Sequence, residues 1–579
     1  MRFHSTLLIL SLNLPSGALE LGRIETEQTR ATQARHAEKL NPALDGWDTE
    51  AFSNAANAQL KKLGKLLSDP TSLTATSLNP LVSQKATTHP LLPKLTPTFQ
   101  DSQLKVSRLP KSNPTESPKL LPELQTLATQ FKNPRFKFKL FQVQPLSESE
   151  IRTTQFLALS DQFRELNATW SITWNAADTT IQSIRVTECE LVERTQPRTL
   201  FTDATGSFVE KRPDLTDHLG HGINHWQGRI EKILSMHYFG HNGLAVGDVN
   251  GDGLDDLYLC QAAAVPNKLF LQQPDGTTRE AAAEAGVDLL NSSRGCLLVD
   301  LDNDGDQDLA LTIPYATLIL KNDGTGKFTL AQRIDSASGG YSLTAVDYDN
   351  DSDLDLYVCV YYRKPGDASA LAYPIPYHDA NNGGQNILLR NDDMNFVDAT
   401  EESGMMAENH RFSFAASWED VDADGDLDVY VANDYGRNNL YRNQLSETGK
   451  PTFTSDAAAP GIEDTSFGMS VCWGDANADG FIDLYTGNMF SGAGNRIAFQ
   501  DKFQQHAPGE IKAKLQRTAR GNSLFLNNRD ATFTDVTMTA GARQGRWAWG
   551  SIFADLNNDG LEDLAVANGF VTGKREDDL

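Results

Sequence analysis

Six short segments carry oxygen-bearing side chains at alternate positions around a tight turn, the pattern that wraps a hard divalent cation. The first is Asp248-Val249-Asn250-Gly251-Asp252-Gly253-Leu254-Asp255-Asp256. The second runs from Asp300 to Asp308 through Asp302, Asp304, Gly305 and Asp306, and the third from Asp347 to Asp355 through Asp349, Asp351, Ser352 and Asp353. The fourth holds Asp420, Asp422, Asp424, Gly425, Asp426 and Asp428. The last two hold Asp475, Asn477, Asp479, Gly480, Phe481 and Asp483, then Asp555, Asn557, Asp559, Gly560, Leu561 and Asp563. Side-chain oxygens at places 1, 3, 5 and 9, with the backbone carbonyl of place 7, supply the shell that Ca2+ takes at ~2.3–2.6 Å. Place 7 is Leu254, Asp306, Asp353, Asp426, Phe481 and Leu561 in turn. Glycine at place 6 permits the turn that brings both halves of a loop to one ion. The third loop departs from this with Ser352, which predicts a weaker site. The expectation is up to six Ca2+ ions.

A single acidic loop is as readily a plain turn, but six in register are a repeat. EF-hands share the opening, yet they need a bidentate Glu at place 12 between helices. Place 12 here is Leu259, Leu311, Val358, Val431, Thr486 and Val566, none of them acidic.

The elements that must position these loops are strands. Each loop runs into an apolar stretch such as Leu257-Tyr258-Leu259 or Val429-Tyr430-Val431. A second strand follows, as in Asn439-Leu440-Tyr441-Arg442-Asn443 and Asn522-Ser523-Leu524-Phe525-Leu526-Asn527, and a third, as in Phe396-Val397-Asp398-Ala399-Thr400. A further strand precedes the next loop, as in Trp547-Ala548-Trp549-Gly550-Ser551-Ile552-Phe553. Loop-to-loop spacings are 52, 47, 73, 55 and 80 residues. Four short strands per unit of this size describe a β-propeller blade. The strand after each loop is apolar at consecutive positions, which fits a sheet covered on both faces by its neighbours.

These loops, with the N-x-L-[FY]-x-N and F-x-D-x-T segments behind them, resemble FG-GAP/VCBS repeats, as in the integrin α-subunit propeller. Trp418-Glu419-Asp420 through Asn443 is most similar to the cartilage acidic protein and ASPIC/UnbV-type family. The resemblance covers about 200–579. It implies an exported seven-bladed Ca2+-binding propeller with adhesion or binding roles. The ASPIC/UnbV module of that family is not recognisable here, and the sixth loop lacks a full blade behind it. Either Leu200-Phe201-Thr202-Asp203-Ala204-Thr205 supplies the missing outer strand and closes the ring, or the chain is truncated.

Charge separates the chain in two. The 579 residues carry a net −26, but residues 1–200 hold 23 basic and 19 acidic side chains, leaving the acidity to the rest. That balance argues against nucleic acid, which needs clustered Lys and Arg. No apolar run reaches the ~18 residues of a membrane span. Residues 1–18 read as a secretory signal cut after Ala18, which predicts a secreted, periplasmic or cell-surface protein. Residues 19–67 form an N-terminal helical segment, with Asp48 as N-cap and Phe52, Ala56, Leu60, Leu63 and Leu67 on one face. Residues 68–133, rich in Pro, Ser and Thr, read as a largely disordered linker. Phe136, Phe138 and Leu140 alternate with Lys137 and Lys139, and Trp170, Ile172 and Trp174 with Ser171 and Thr173. This alternation predicts a small antiparallel β domain over 134–197, with the propeller at 198–579.

The five cysteines are too few and too odd in number for a disulfide framework, and Cys260 and Cys359 read as buried thiols. His218, His221, His225, His237 and His241 cluster on a helical pattern, either as a Zn or Cu site or as solvated side chains of an inserted helix. No G-x-S-x-G elbow, H-E-x-x-H helix or P-loop occurs. The leading reading is therefore a non-enzymatic binding or adhesion module for a protein or glycan. The alternatives are an enzyme with its site in the channel or top loops, and a structural component of an envelope assembly.

Overall fold

The computed structural model describes residues 47–110, 119–196, 243–362 and 373–569, with Phe201, Thr202, Ala204 and Gly206. The signal segment and the histidine cluster lie outside the described residues, as do Leu200, Asp203 and Thr205 of the proposed closing strand.

Helix α1 (Asp48–Ser68) buries Phe52, Ala56, Leu60, Leu63 and Leu67, the face expected from their spacing. Its N-cap is Trp47 rather than Asp48, and no side chain caps it. The helix lies on a seven-stranded sheet built from β1 (Val82–Thr88), β2 (Thr96–Gln100), β3 (Leu104–Arg108), β4 (Arg135–Pro145), β5 (Glu150–Ser160), β6 (Arg164–Asn175) and β7 (Ile181–Arg194). The strand order is β2-β3-β7-β6-β5-β4, antiparallel throughout, with β1 added parallel to β7. Helix α2 (Leu120–Thr129) buries Leu120, Leu124 and Leu127 in the same core. Gly64 lets α1 approach closely, since a Cβ there would stand 1.8 Å from the Phe136 ring.

The linker expectation is therefore corrected: residues 82–108 supply three strands and residues 120–129 a helix. The β domain spans 82–194 rather than 134–197. The segment escaped recognition because β2 is exposed along its whole length and shows no alternation of burial. Its order comes from hydrogen bonding to β3, and that of β3 from pairing with the far end of β7.

The rest of the described chain is an arc of blades. The first blade consists of Leu244–Gly247, Asp256–Leu259, Lys268–Gln272 and Thr278–Glu280, hydrogen-bonded side by side in chain order. The second repeats this with Cys296–Val299, Asp308–Ile313, Ala316–Asn322 and Phe328–Ile334. Three more four-stranded antiparallel sheets occupy 340–398, 412–455 and 468–535. A two-stranded sheet, Ala548–Ala554 with Asp563–Asn568, comes last. The first strand of each sheet packs against the first strand of the next, so these strands line the inside of a propeller. Among the described residues there are five complete blades and one half-blade, against the seven expected.

Apolar clusters fill the gaps between sheets. One joins Leu309, Leu311 and Leu320 of the second blade to Tyr258, Leu269 and Leu271 of the first. The second strands Asp308–Ile313, Asp355–Val360 and Asp428–Asp434 are buried at every position, as consecutive apolar residues require. All five cysteines are buried free thiols.

The long loop spacings are insertions. Between the second and third strands of the fifth blade lie helices α3 (Gly492–Ala498) and α4 (Gly509–Thr518). Helix α3 reaches the N-terminal domain: Arg496 forks onto Glu50 of α1 at 2.9 and 2.8 Å and donates to the Leu140 carbonyl of β4 at 3.0 Å. Among the described residues no helix is long and apolar enough to cross a membrane.

Candidate metal centre

All six acidic loops join the first strand of a sheet to the second, and they share one hydrogen-bonding scheme. The Oδ2 of place 1 accepts from the backbone N–H of place 6, at 2.8 Å for Asp248, 3.0 Å for Asp300, 3.1 Å for Asp347 and 3.0 Å for Asp420. Asp475 and Asp555 do the same at 2.8 Å. Place 6 takes a left-handed φ in each loop, +85° at Gly253, +94° at Gly305, +95° at Gly425 and +76° at Ser352. A Cβ at Gly253, Gly305, Gly425, Gly480 or Gly560 would meet nothing within 4 Å, so the demand for glycine is purely conformational.

Place 9 closes each loop from the strand side. The buried carboxylates Asp256, Asp308, Asp355, Asp428 and Asp483 each accept twice from the backbone. One oxygen takes the N–H of place 2, and the other an N–H of the third strand, such as Asn322 at 2.8 Å. Asp563 keeps the first of these contacts, at 3.2 Å from Leu556. Burial pushes the Asp308 carboxyl up to about 6, and those of Asp355 and Asp428 up to about 8. Neighbouring carboxylates of the same loop add to the rise, a repulsion that a cation bound among them removes.

The donor set fits a divalent ion. Ligand oxygens of Asp300, Asp302 and Asp304 lie within 4.8 Å of one another, as do those of Asp347, Asp349 and Asp351, and of Asp420, Asp422 and Asp424. The Oδ1 atoms of Asp300, Asp302, Asp306, Asp349, Asp422, Asp426 and Asn557 are buried without a hydrogen-bond partner. Buried acceptors left bare in this way suit a hard cation. In loops 1, 5 and 6 the place-3 oxygen belongs to Asn250, Asn477 and Asn557, which lowers the charge of the set. In the fourth loop the place-7 carboxylate joins a further cluster, with ligand oxygens of Asp424, Asp426 and Glu447 within 4.8 Å of one another. Glu447 comes from the short helix Leu445–Thr448 beyond the third strand, so no loop spacing marks it.

Basic side chains from the third strands add a second feature invisible in loop spacing. Lys321 pairs with Asp302 and, at 3.2 Å, with Asp304; Arg442 pairs with Asp422. Arg529, just past the third strand of the fifth blade, reaches Asp479 at 3.0 Å. The asparagine after Lys321 and Arg442 binds blade to blade. Asn322 donates to the carbonyl of Val249 in the preceding loop at 2.8 Å and to that of Gln307 in its own at 3.0 Å. Asn391 joins Leu301 to its own loop, and Asn443 joins Tyr348 to its own, at 2.8 and 2.9 Å to the preceding loop. The second asparagine of the N-x-L-[FY]-x-N segment is thus the staple between neighbouring acidic loops.

The FG-GAP-like repeat model matches residues 248–311, 300–358, 420–486 and 515–566, covering the loops and strands just described. These four stretches are FG-GAP-like repeats. Cartilage acidic protein 1 of Xenopus tropicalis is 31% identical over 137 residues, 22% of this chain and 21% of that protein. Its Homo sapiens counterpart is 29% identical over 162 residues, 26% of this chain and 24% of that protein. The chain thus matches a quarter or less of the length of these relatives. Among solved structures, an Agrocybe aegerita lectin described as recognising non-reducing terminal N-acetylglucosamine aligns at 14% identity and TM-score 0.32, over 57% of this chain and 75% of that one. A Lactobacillus plantarum protein aligns at 9% identity and TM-score 0.29, over 69% and 95%.

Proposed function

We propose that this is an exported, calcium-stabilised propeller that acts without catalysis as a binding or adhesion module for a protein or glycan. The observation that carries the calcium reading is the set of buried, partnerless carboxylate oxygens in loops sharing one backbone scheme. Places 1, 3, 5 and 9 and the place-7 carbonyl would hold the ions, which supply charge compensation at the seam between the first two strands of each blade. Binding energy to loops absent from the unfolded chain is folding energy, so the ions would fasten the scaffold. The binding role is supported by the FG-GAP repeats and by the likeness to cartilage acidic protein 1. It also accords with propeller architecture, in which a rigid set of sheets presents connecting loops.

Metal analysis of the purified chain after dialysis against Ca2+, followed by thermal melts with and without EDTA, tests this reading. Several bound ions per chain and a melt lowered by about 5–10 °C or more are expected. A chain that is metal-free and melts unchanged overturns it.

A further inference from the structure

Three of the six loops carry a carboxylate at place 7, Asp306, Asp353 and Asp426; the others have Leu254, Phe481 and Leu561. A calcium loop of this kind takes only the backbone carbonyl of that place, so the carboxylate is surplus to the ion its own loop holds. The third loop engages it next door, where the Asn303 amide donates to Asp353 at 3.0 Å. Of the three, Asp426 alone gathers with two further acids, Asp424 at place 5 and Glu447 from the short helix Leu445–Thr448, among the described residues.

Ser446 sets this group in place. Its N–H donates to Asp426 Oδ2 at 2.9 Å, and its hydroxyl lies 2.7 Å from Asp424 Oδ2 and 3.3 Å from Glu447 Oε2. Three like charges are thereby held together rather than spread apart. Asp426 is only 3% exposed, and its other oxygen, Oδ1, has no hydrogen-bond partner. A buried carboxylate oxygen without a donor is stable only beside a cation. No side chain supplies one: Asp424, Asp426 and Glu447 make no ion pair among the described residues, and Arg442 of the third strand pairs with Asp422 instead. Asp424 and Glu447 are exposed, so an ion and its remaining waters have an open approach.

We propose that the fourth loop holds two Ca2+ ions, with Asp424 shared between them and the second ion held by Asp426 and Glu447. The proposal rests on reading the acidic loops as calcium sites and adds a site to that reading. Asp424 has the reach for both: it offers an oxygen within 4.8 Å of those of Asp420 and Asp422, and one within 4.8 Å of those of Asp426 and Glu447. Paired cations in proteins stand ~3.5–4 Å apart, a distance that such a shared carboxylate spans. Charge points the same way. Asp420, Asp422, Asp424, Asp426, Asp428 and Glu447 against the single guanidinium of Arg442 make a formal −5, which one Ca2+ brings to −3 and a second to −1. Oxygen ligands completed by water suit Ca2+, and the group contains no imidazole or thiolate to favour a softer metal. A plain hydrogen-bonded turn would account for the Ser446 contacts, but it leaves Asp426 Oδ1 bare. The second ion ties the segment beyond the third strand to the loop between the first two.

The test is equilibrium dialysis of the full chain against Ca2+, with the bound metal counted per chain. Glu447→Gln and Asp426→Asn are each expected to bind one ion fewer than wild type. Glu284→Gln, an exposed glutamate on the short helix Ala282–Ala285 of the first blade, is expected to lose none. Because Glu447 is exposed, Glu447→Gln keeps the count meaningful even if Asp426→Asn folds poorly. Anomalous scattering from crystals grown in Ca2+ locates the ions directly. Two peaks about 4 Å apart are expected at the fourth loop, the second ~2.3–2.6 Å from oxygens of Asp424, Asp426 and Glu447. A single peak there, or a folded Glu447→Gln variant that keeps the wild-type count, overturns the proposal and leaves the calcium reading standing. A wild-type chain that binds no Ca2+ at any loop overturns both.

Discussion

Ser352 holds a φ of +76° at the place where the other five loops have glycine. A side chain in the left-handed region costs roughly 1–2 kcal/mol, and here no crowding adds to it, as the open space around the equivalent glycines shows. Ser352→Gly should therefore raise stability by about 1 kcal/mol in urea melts, and Gly425→Ala should lower it by a similar amount. Removing a ligand is a harsher change: Asp424→Ala should cost more in Ca2+ than in EDTA, whereas the glycine effects persist in both. Equal losses for Asp424→Ala under the two conditions would deny that residue a role in holding an ion. Buried Asp434 gives a second test, at the opposite end of the blades. Tyr361 donates to its Oδ2 at 2.5 Å, and burial pushes its carboxyl up to about 7, above its ordinary 3.8. The folded state then keeps a proton that the unfolded chain gives up, so stability falls as pH rises from about 4 to 7. Asp434→Asn should abolish that fall, gaining ~1–3 kcal/mol relative to wild type at pH 8 and little at pH 4. A gain that does not change with pH would contradict this account.

At the scale of elements, the asparagine staples separate two kinds of contact. Asn443→Ala strips donors from the Tyr348 carbonyl in the neighbouring loop and the Leu427 carbonyl in its own, whereas Asn527 donates only within its own loop, to Ile482. Asn443→Ala should cost about 1–3 kcal/mol and exceed Asn527→Ala, measured by denaturant midpoint. Equal costs would remove the inter-blade contact from the account. The loops and strands were legible in sequence because both are local codes, alternate oxygens around a turn and runs of buried apolar residues. What lay beyond was not local. The left-handed place 4 at Ala423 and Ala478 leaves no mark in residue type, with φ of +60° and +56°. Lys321 and Arg442 read as ordinary exposed strand residues until their sheets place them against Asp302 and Asp422. Strands β2 and β3 looked like linker because pairing, rather than burial, orders them. Helices α3 and α4 hid in an insertion whose length was visible and whose content was not.

For the molecule as a whole, the Arg496–Glu50 fork is the charged clamp between its two parts, with each side chain only 16% exposed. Phe490 extends the contact by packing against Phe141 at 6.1 Å and Phe156 at 5.7 Å. Arg496→Ala should cost about 1.5–3 kcal/mol and split a single melting transition into two, read by calorimetry. A single unaltered transition would mean that the remaining contacts, among them Phe490 against Phe141 and Phe156 and Gln500 donating to Thr49 at 2.6 Å, couple the domains without the fork.

That fork joins residues 446 positions apart, which bears on how the chain is made. At ~5–20 residues per second, a ribosome completes Arg496 about 20–90 s after Glu50. Throughout that interval the nascent sheet shows its lysine face to whatever surrounds it. The acidic blades emerge meanwhile as a tethered polyanion beside a cationic surface, and native docking must win against that nearer attraction.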